Sequence, residues 1–452
     1  MSVMLVAETV YLNAVSIFVR LLRWNPERQQ KWEVLQTDPE TGNLAFPVVY
    51  KLSIGAACRL LWPPDRIIIQ VLDDSTDYLI RVSFLASQGV NIMYELRDGR
   101  KGYKAGALKS GMRRSYVQRC EFVAVFDADF RPEPDFLRRT VPFLVHNPRI
   151  ALVQARWDFV NYKECLMTRI QKMSLDYHFK VEQEAGSSAQ GFFGFNGTAG
   201  VWRISALNEA GGWEDRTTVE DMDLSIRACL KGWRFLYVGD VKVKSELPST
   251  LRSYRDQQHR WTCGGVNLFR KMGLEILRAK EVSPWKKLYL IYNFFFVRKV
   301  VCHVLTFVFY CAIPAWGLVY VPTTISLFNA MVNPSSIHLI VFWILFENVM
   351  AMHRMRATMI GLLEFGRVNE WVVTKKIGDT LNEMPKSGEH EDPPKRIRDR
   401  IYWNELAWGV FLSVCASYNL AYNKNYHYVY IYLQAIAFFV VGLGYVGTNI
   451  SP

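Results

Sequence analysis

No two of the eight cysteines stand in a CxxC spacing, and their positions (Cys58, Cys120, Cys165, Cys229, Cys263, Cys302, Cys311 and Cys415) follow no regular interval. Neither a zinc site nor a disulfide framework is therefore expected, and the soluble part suits a reducing environment. The amino-terminal segment lacks the basic opening and the small-residue cleavage site of a secretory signal. Residues 1–22 are apolar but carry Glu8 and Arg20, which points to a tilted membrane or interfacial helix instead of a cleaved peptide. The net charge is +12, yet the basic residues form no stripe with interleaved aromatics, so nucleic-acid binding is not indicated. Beside long apolar runs, the same excess reads as positive-inside bias at a membrane.

The hydrophobic half of the composition is unevenly spread. Residues 24–284 read as a water-facing domain with charges, strands and turns. From 285 onward, apolar aromatic runs dominate. A membrane helix needs about 20 mainly apolar residues. Segments 300–321, 337–352, 406–422 and 428–446 approach that, which predicts about four spans in two pairs. The first is preceded by Arg298 and Lys299. Each pair returns the chain to its starting side, so Arg298–Lys299, the basic stretch 353–400 and the soluble domain share one face, cytosolic by the positive-inside rule. The region 353–402 is expected to be an amphipathic and charged loop. Within it, 364–378 could lie in the interface around Trp371, and 383–399, with Pro393-Pro394, reads as solvated.

In the soluble part, residues 66–72 form a β-branched run that ends in Asp73-Asp74. Residues 121–126 form another, ending in Asp127-Ala128-Asp129. Such strands alternate with helical segments at 105–117 and 133–145, the pattern of a doubly wound α/β sheet. Ligands bind such sheets at the carboxyl ends of the strands, where both acidic turns fall. Asp127 and Asp129 could together hold a divalent cation whose other ligands are diphosphate oxygens. The competing reading is an acidic turn capping a helix. Glu220-Asp221 follows the glycine-rich Gly211-Gly212-Trp213. Asp221 is the candidate to take a proton from an acceptor hydroxyl, although a carboxylate is favoured at a helix N-terminus in any case. In Gln257-Gln258-His259-Arg260-Trp261, Arg260 can bond a diphosphate and Trp261 offers a flat face to a sugar ring. Without those neighbours the cluster would read as an interfacial helix end.

Asp73-Asp74, Asp127-x-Asp129, Glu220-Asp221 and Gln257-x-x-Arg260-Trp261, in that order, resemble the signature of processive family 2 glycosyltransferases. The finer text resembles the plant cellulose synthase-like A group, the glucomannan 4-β-mannosyltransferases. It includes Val71–Asp77, Gly102–Lys109, Phe192–Gly200, Gln257–Gly264 and Gly366–Trp371. The resemblance implies a GT-A-type α/β domain with a doubly wound mixed sheet, followed by a C-terminal α-helical transmembrane bundle. It implies GDP-mannose and in some cases GDP-glucose as donors, Mg²⁺ or Mn²⁺ as cofactor, and a growing β-1,4-mannan chain as acceptor. The residence it implies is the Golgi membrane, with several spans. Among the residues, it assigns Asp73 and Asp74 to the nucleotide and the catalytic set, and Asp127 and Asp129 to the diphosphate and metal. Lys104 becomes a substrate contact and Asp221 the base. Gln257, Arg260 and Trp261 bind the acceptor end and the diphosphate, and residues 192–200 floor the acceptor site.

One departure stands out. The family's first strand ends in a Tyr-Asn-Glu turn, whereas here Pro47-Val48-Val49-Tyr50-Lys51 runs directly into Leu52-Ser53-Ile54-Gly55. A first strand truncated near 46–52 is expected, with part of the base-binding wall missing. Residues 77–88 are also short for the helix expected there. Three other readings stay open: a UDP-glucose-using β-1,4-glucan synthase of the xyloglucan-backbone kind, a non-processive transferase, and an inactive partner subunit.

Overall fold

The structure, a computed structural model, describes residues 2–22, 24, 26–32, 48–51, 54–74, 91–97, 99–301, 334–365, 368, 401–422 and 426–447. The expected span 300–321, the interfacial segment 364–378, the loop 383–399 and the short stretch 77–88 lie wholly or almost wholly outside those residues.

Eight strands build one mixed sheet. They are β1 (Val48–Lys51), β2 (Ile67–Asp73), β3 (Ile92–Leu96), β4 (Phe122–Val125), β5 (Arg131–Pro132), β6 (Ile150–Phe159), β7 (Gly200–Arg203) and β8 (Arg234–Ser245). Their order across the sheet is β3-β2-β1-β4-β7-β6-β8-β5. The first four run parallel, and β7 is antiparallel to both β4 and β6. Strand β4 is buried along its whole length, as expected of a strand covered on both faces. One apolar layer sets Phe126, Phe136, Leu137 and Val141 against the sheet. The other holds Phe192, Phe195, Trp202 and Trp213. Helix α3 (Phe136–His146) covers the first face. Helix α5 (Glu220–Leu230) covers the second, and α2 (Tyr103–Met112) precedes β4 in the chain.

The first strand is present and spans four residues. Val48–Lys51 sits between β2 and β4, with Val49 opposite both Ile68 and Val123. Four residues suffice because ladder bonds to two parallel neighbours satisfy the backbone on both sides. What the chain lacks is the Tyr-Asn-Glu turn after it.

The domain boundary near 285 also shifts. Residues Tyr289–Val301 form a π-helical stretch whose Leu290, Phe294 and Phe295 join the apolar core beside the sheet. The Phe294 ring lies 5.4 Å from that of Phe192. Arg298 is not a surface charge at the start of a span. It is half-buried and bonds Glu8 at 2.8 Å, tying this stretch to α1 (Ser2–Leu21). Helix α1 buries Asn13 and Ser16 beside Leu12 and Val19 and leaves other apolar residues exposed. Asn13 donates to the Tyr177 hydroxyl and Ser16 to the Lys180 carbonyl, while Ile17, Phe18 and Leu21 face outward.

Helix α4 (Leu166–Tyr177) continues as π-helical turns. The 28-residue α6 (Leu251–Arg278) then carries the Gln257–Trp261 motif beneath the sheet. It packs on α7 (Ile340–Leu363), which does not stop near Met352. His353, Arg354 and Arg356 are helical and not part of a loop, because His353 and Arg354 find partners on α6: His353 meets the Arg255 carbonyl and Arg354 meets Gln258. A hairpin of α8 (Trp403–Tyr422) and α9 (His427–Gly442) completes the described C-terminal region. Among the described residues one helix, Ile337–Leu363, is long and apolar enough to cross a membrane. The hairpin shares the polarity of α1. Glu405 and Gln434 are buried and bonded to Arg255 and Asn348, while Phe411, Val414, Leu433 and Ile436 are exposed.

Candidate active site

Strand β4 delivers Asp127 and Asp129 to its carboxyl end, where the backbone N–H of Asp127 donates to Thr198 Oγ1 at 2.9 Å. Asp129 accepts from Ser245 Oγ at 2.8 Å, at the end of β8. Lys104, in the first turn of α2, reaches across to Asp127 and also donates to the Gly197 carbonyl at 2.8 Å. Burial alone would lower the pKa of Lys104, but Asp127, Glu220 and Asp221 outweigh it and hold the ammonium charged.

Asp221 lies in the first turn of α5, and its Oδ1 accepts from the Met222 N–H at 2.7 Å. The carboxylate serves the helix start and also lines the cleft. Burial raises its pKa above the ordinary aspartate range, and Lys104 opposes the rise. Glu220 is raised by burial and by repulsion from Asp221. Gly197 lets this group close up. It has φ +78°, and a Cβ there would stand 2.8 Å from Asp221 Oδ2.

Helix α6 closes the cleft with Gln257, Arg260 and Trp261. Its approach depends on Gly264, where a Cβ would come within 2.6 Å of Thr218 Oγ1. Burial pulls the pKa of Arg260 down from the usual guanidinium value, opposed by Glu220, Asp127 and Asp221. A half-buried cation near three carboxylates suits an anion brought in with its own counter-ion.

Lys104, Asp127, Asp129, Asp221, Gln257, Arg260 and Trp261 thus line one cleft of about 220 Å³. Asp73 and Asp74 are not among the residues lining it. Asp73 accepts from the Tyr94 hydroxyl, and Asp74 takes a fork from Arg97 at 2.9 and 2.6 Å. They lie two strands away from β4 because β1 intervenes. The sequence reading missed Trp157 and Leu175, which line the cleft together with Asn196. Asn196 stands inside a stretch already singled out, whereas Trp157, third from the end of a ten-residue strand, carries no signal of its own.

The turn bearing Asp221 is anchored from behind. Asp223 has no exposed surface, and it bonds Arg216 at 2.6 Å and Arg227 at 2.9 Å. Removing one partner of a buried ionic set leaves uncompensated charge and costs about 3–5 kcal/mol. Asp223→Ala is therefore expected to lower the thermal unfolding midpoint of the solubilised protein markedly. An unchanged midpoint would show that the two arginines find other partners.

The model of glycosyl transferase family group 2 matches residues 122–352, from β4 into α7. The fold and cleft are thus those of a GT-A-like glycosyltransferase. A probable glucomannan 4-β-mannosyltransferase 3 of Arabidopsis thaliana is 59% identical, covering 99% of this chain and 86% of its own. Glucomannan 4-β-mannosyltransferase 9 of the same plant is 58% identical, covering 99% and 90%. The chain belongs to the glucomannan 4-β-mannosyltransferases. The first alignment runs over 479 positions, more than the 452 residues here, so that relative carries residues with no counterpart in this chain. Among solved structures, a mannosyltransferase of Pyrobaculum calidifontis in complex with GDP-Man and Mn²⁺ is similar at 17% identity and TM-score 0.47, over 80% of this chain and 100% of that one.

Proposed function

We propose that this chain adds mannosyl units from GDP-mannose, and to a lesser extent glucosyl units from GDP-glucose, to a β-1,4-mannan or glucomannan backbone. The carrying observation is that carboxylates on β4 and α5 and a cation and tryptophan on α6 share one cleft. Asp127 and Asp129 fit a hard cation. Both offer oxygen, Asp127 keeps 37% of its side-chain surface exposed, and among the described residues no third His, Cys, Asp or Glu joins them. Two carboxylates plus substrate phosphates and water suit Mg²⁺ or Mn²⁺. An ion held there offsets the charge on the departing diphosphate. Asp221 takes the proton of the acceptor's 4-hydroxyl as that oxygen bonds the anomeric carbon and GDP leaves, which inverts the centre. Arg260 bonds the diphosphate, while Trp261 and Gln257 hold the acceptor end.

The outward apolar faces of α1, α8 and α9 suit lipid, because Ile17, Phe18, Leu21, Phe411, Val414, Leu433 and Ile436 are exposed while the polar Ser16, Glu405 and Gln434 are turned inward. We place the protein, with several spans, in the Golgi membrane. In sealed Golgi vesicles carrying the protein, label from GDP-mannose should enter a product that β-mannanase degrades, in excess over label from GDP-glucose or UDP-glucose. A mannanase-resistant product made from UDP-glucose would sink the mannose reading. No product from any donor would favour an inactive partner subunit, for which the absent turn after β1 is the observation.

A further inference from the structure

Arg255 stands two residues before Gln257 on α6. At about 100° per residue, Gln257, Arg260 and Trp261 lie roughly 200°, 140° and 240° round the helix from it, so Arg255 marks the side away from the cleft. Its guanidinium donates to Glu405 Oε1 at 2.5 Å and rests over the Tyr402 ring, 4.9 Å from the centroid. Its carbonyl meets His353 Nε2 of α7 at 2.9 Å. Little of the ion pair is open to solvent, since 15% of the Arg255 side chain and 3% of the Glu405 side chain are exposed. A charge-assisted bond buried in this way fixes both the spacing and the orientation of the elements it joins.

The start of the helix is gripped from the same direction. Thr250, the N-cap residue of α6, pairs in antiparallel fashion with Gly447 beyond α9. That contact needs glycine, because φ is +88° and a Cβ would stand 2.6 Å from the Ser249 carbonyl oxygen. The Tyr402 N–H donates to the Gly442 carbonyl at 2.8 Å, which closes Tyr402, Glu405 and Gly447 into one hairpin. Gln434 of that hairpin bonds Asn348 and the Leu345 carbonyl, so α7 is tied in as well. Residues 402–447 lie beyond the matched segment 122–352, and none of the described ones lines the cleft.

Resting on the transferase reading above, we propose that Glu405 is a positioning residue for the reaction: by holding Arg255 on the far side of α6, it sets the rotation of that helix and so the reach of Arg260 toward the diphosphate. Side-chain tips on a helix lie about 5–6 Å from its axis, so a turn of about 10° displaces them by roughly 1 Å. That exceeds the distance range a hydrogen bond tolerates. The C-terminal hairpin thus contributes to donor binding without touching the donor.

Calorimetric titration of the full chain in detergent with GDP and Mn²⁺ tests this without turnover. Glu405→Ala is expected to weaken GDP binding on the order of tenfold. The same substitution in an Arg260→Ala chain is expected to weaken it no further, because the anchor acts through Arg260. Hydrogen exchange should quicken at residues 251–261 and stay unchanged at 136–146. GDP affinity untouched by Glu405→Ala overturns the proposal. So does an equal further loss in the Arg260→Ala chain, which marks a general loosening of the fold. Should Glu405→Ala not fold, Glu405→Gln, which keeps the length of the side chain, carries the same comparison. An unaltered chain that binds no GDP would sink the transferase reading, and exchange at 251–261 would still decide the anchor, an unchanged rate overturning it.

Discussion

Asp221→Asn is expected to lower transfer on the order of a hundred- to ten-thousandfold while leaving GDP and metal binding nearly unchanged. The task of a general base arises only as the acceptor hydroxyl attacks, so its loss falls on the chemical step and spares the ground state. The surroundings of Asp221 make the effect specific. Its carboxylate lies beside Glu220 and Lys104 in the cleft wall, and desolvation raises its pKa. The working form is the deprotonated one, so transfer should fall on acidification at a pH above the range where an exposed aspartate titrates. The substituted chain should lack that limb in its residual rate. Wild-type transfer by Asp221→Asn would reduce Asp221 to a helix-start carboxylate and move the base elsewhere. The measurement belongs both on the chain as it stands and on one with Tyr-Asn-Glu restored after Lys51. The restored chain separates a lost base from a lost nucleotide wall.

Asp129→Asn and Asp127→Asn are expected to act earlier in the reaction. Each removes one of two anionic oxygen donors, and hard cations with few protein ligands depend on both. Metal-dependent GDP binding should weaken on the order of tenfold or more, and excess Mn²⁺ should restore part of it. The two substitutions should differ in one respect. Asp127 also pairs with Lys104, so its loss leaves the ammonium facing Glu220 and Asp221. Asp129 bonds Ser245, and its loss should leave that neighbourhood standing. GDP affinity that is insensitive to metal in the unaltered protein, or unaffected by either change, would remove the ion from Asp127 and Asp129.

Local order along the chain made much of this legible. The β-branched runs at 66–72 and 121–126 appear as β2 and β4 within one residue at most boundaries, because alternation and burial are written into consecutive residues. The acidic turns follow directly from the strands, and the Gln-x-x-Arg-Trp spacing places Gln257 and Trp261 one turn apart on α6. The relatives bear out the resemblance carried by those blocks.

Convergence was the work of the tertiary structure. Asp127, Asp221 and Arg260 meet because β4 lies mid-sheet and α5 and α6 fold back under its carboxyl end, an arrangement no short window of sequence contains. The same distance in sequence hid the pairing of Glu8 with Arg298 and of Arg354 with Gln258, so basic residues that look like free surface charge turned out to be internal ties. Asp73 and Asp74 show the converse: a motif marks their strand end, but the insertion of β1 between β2 and β4 decides that they stand outside the cleft. Residue type and spacing carry what depends on neighbours in the chain, which here means strands, helix faces and acidic turns. Which of those surfaces come together depends on strand order and helix crossing, and these follow from packing the whole core at once.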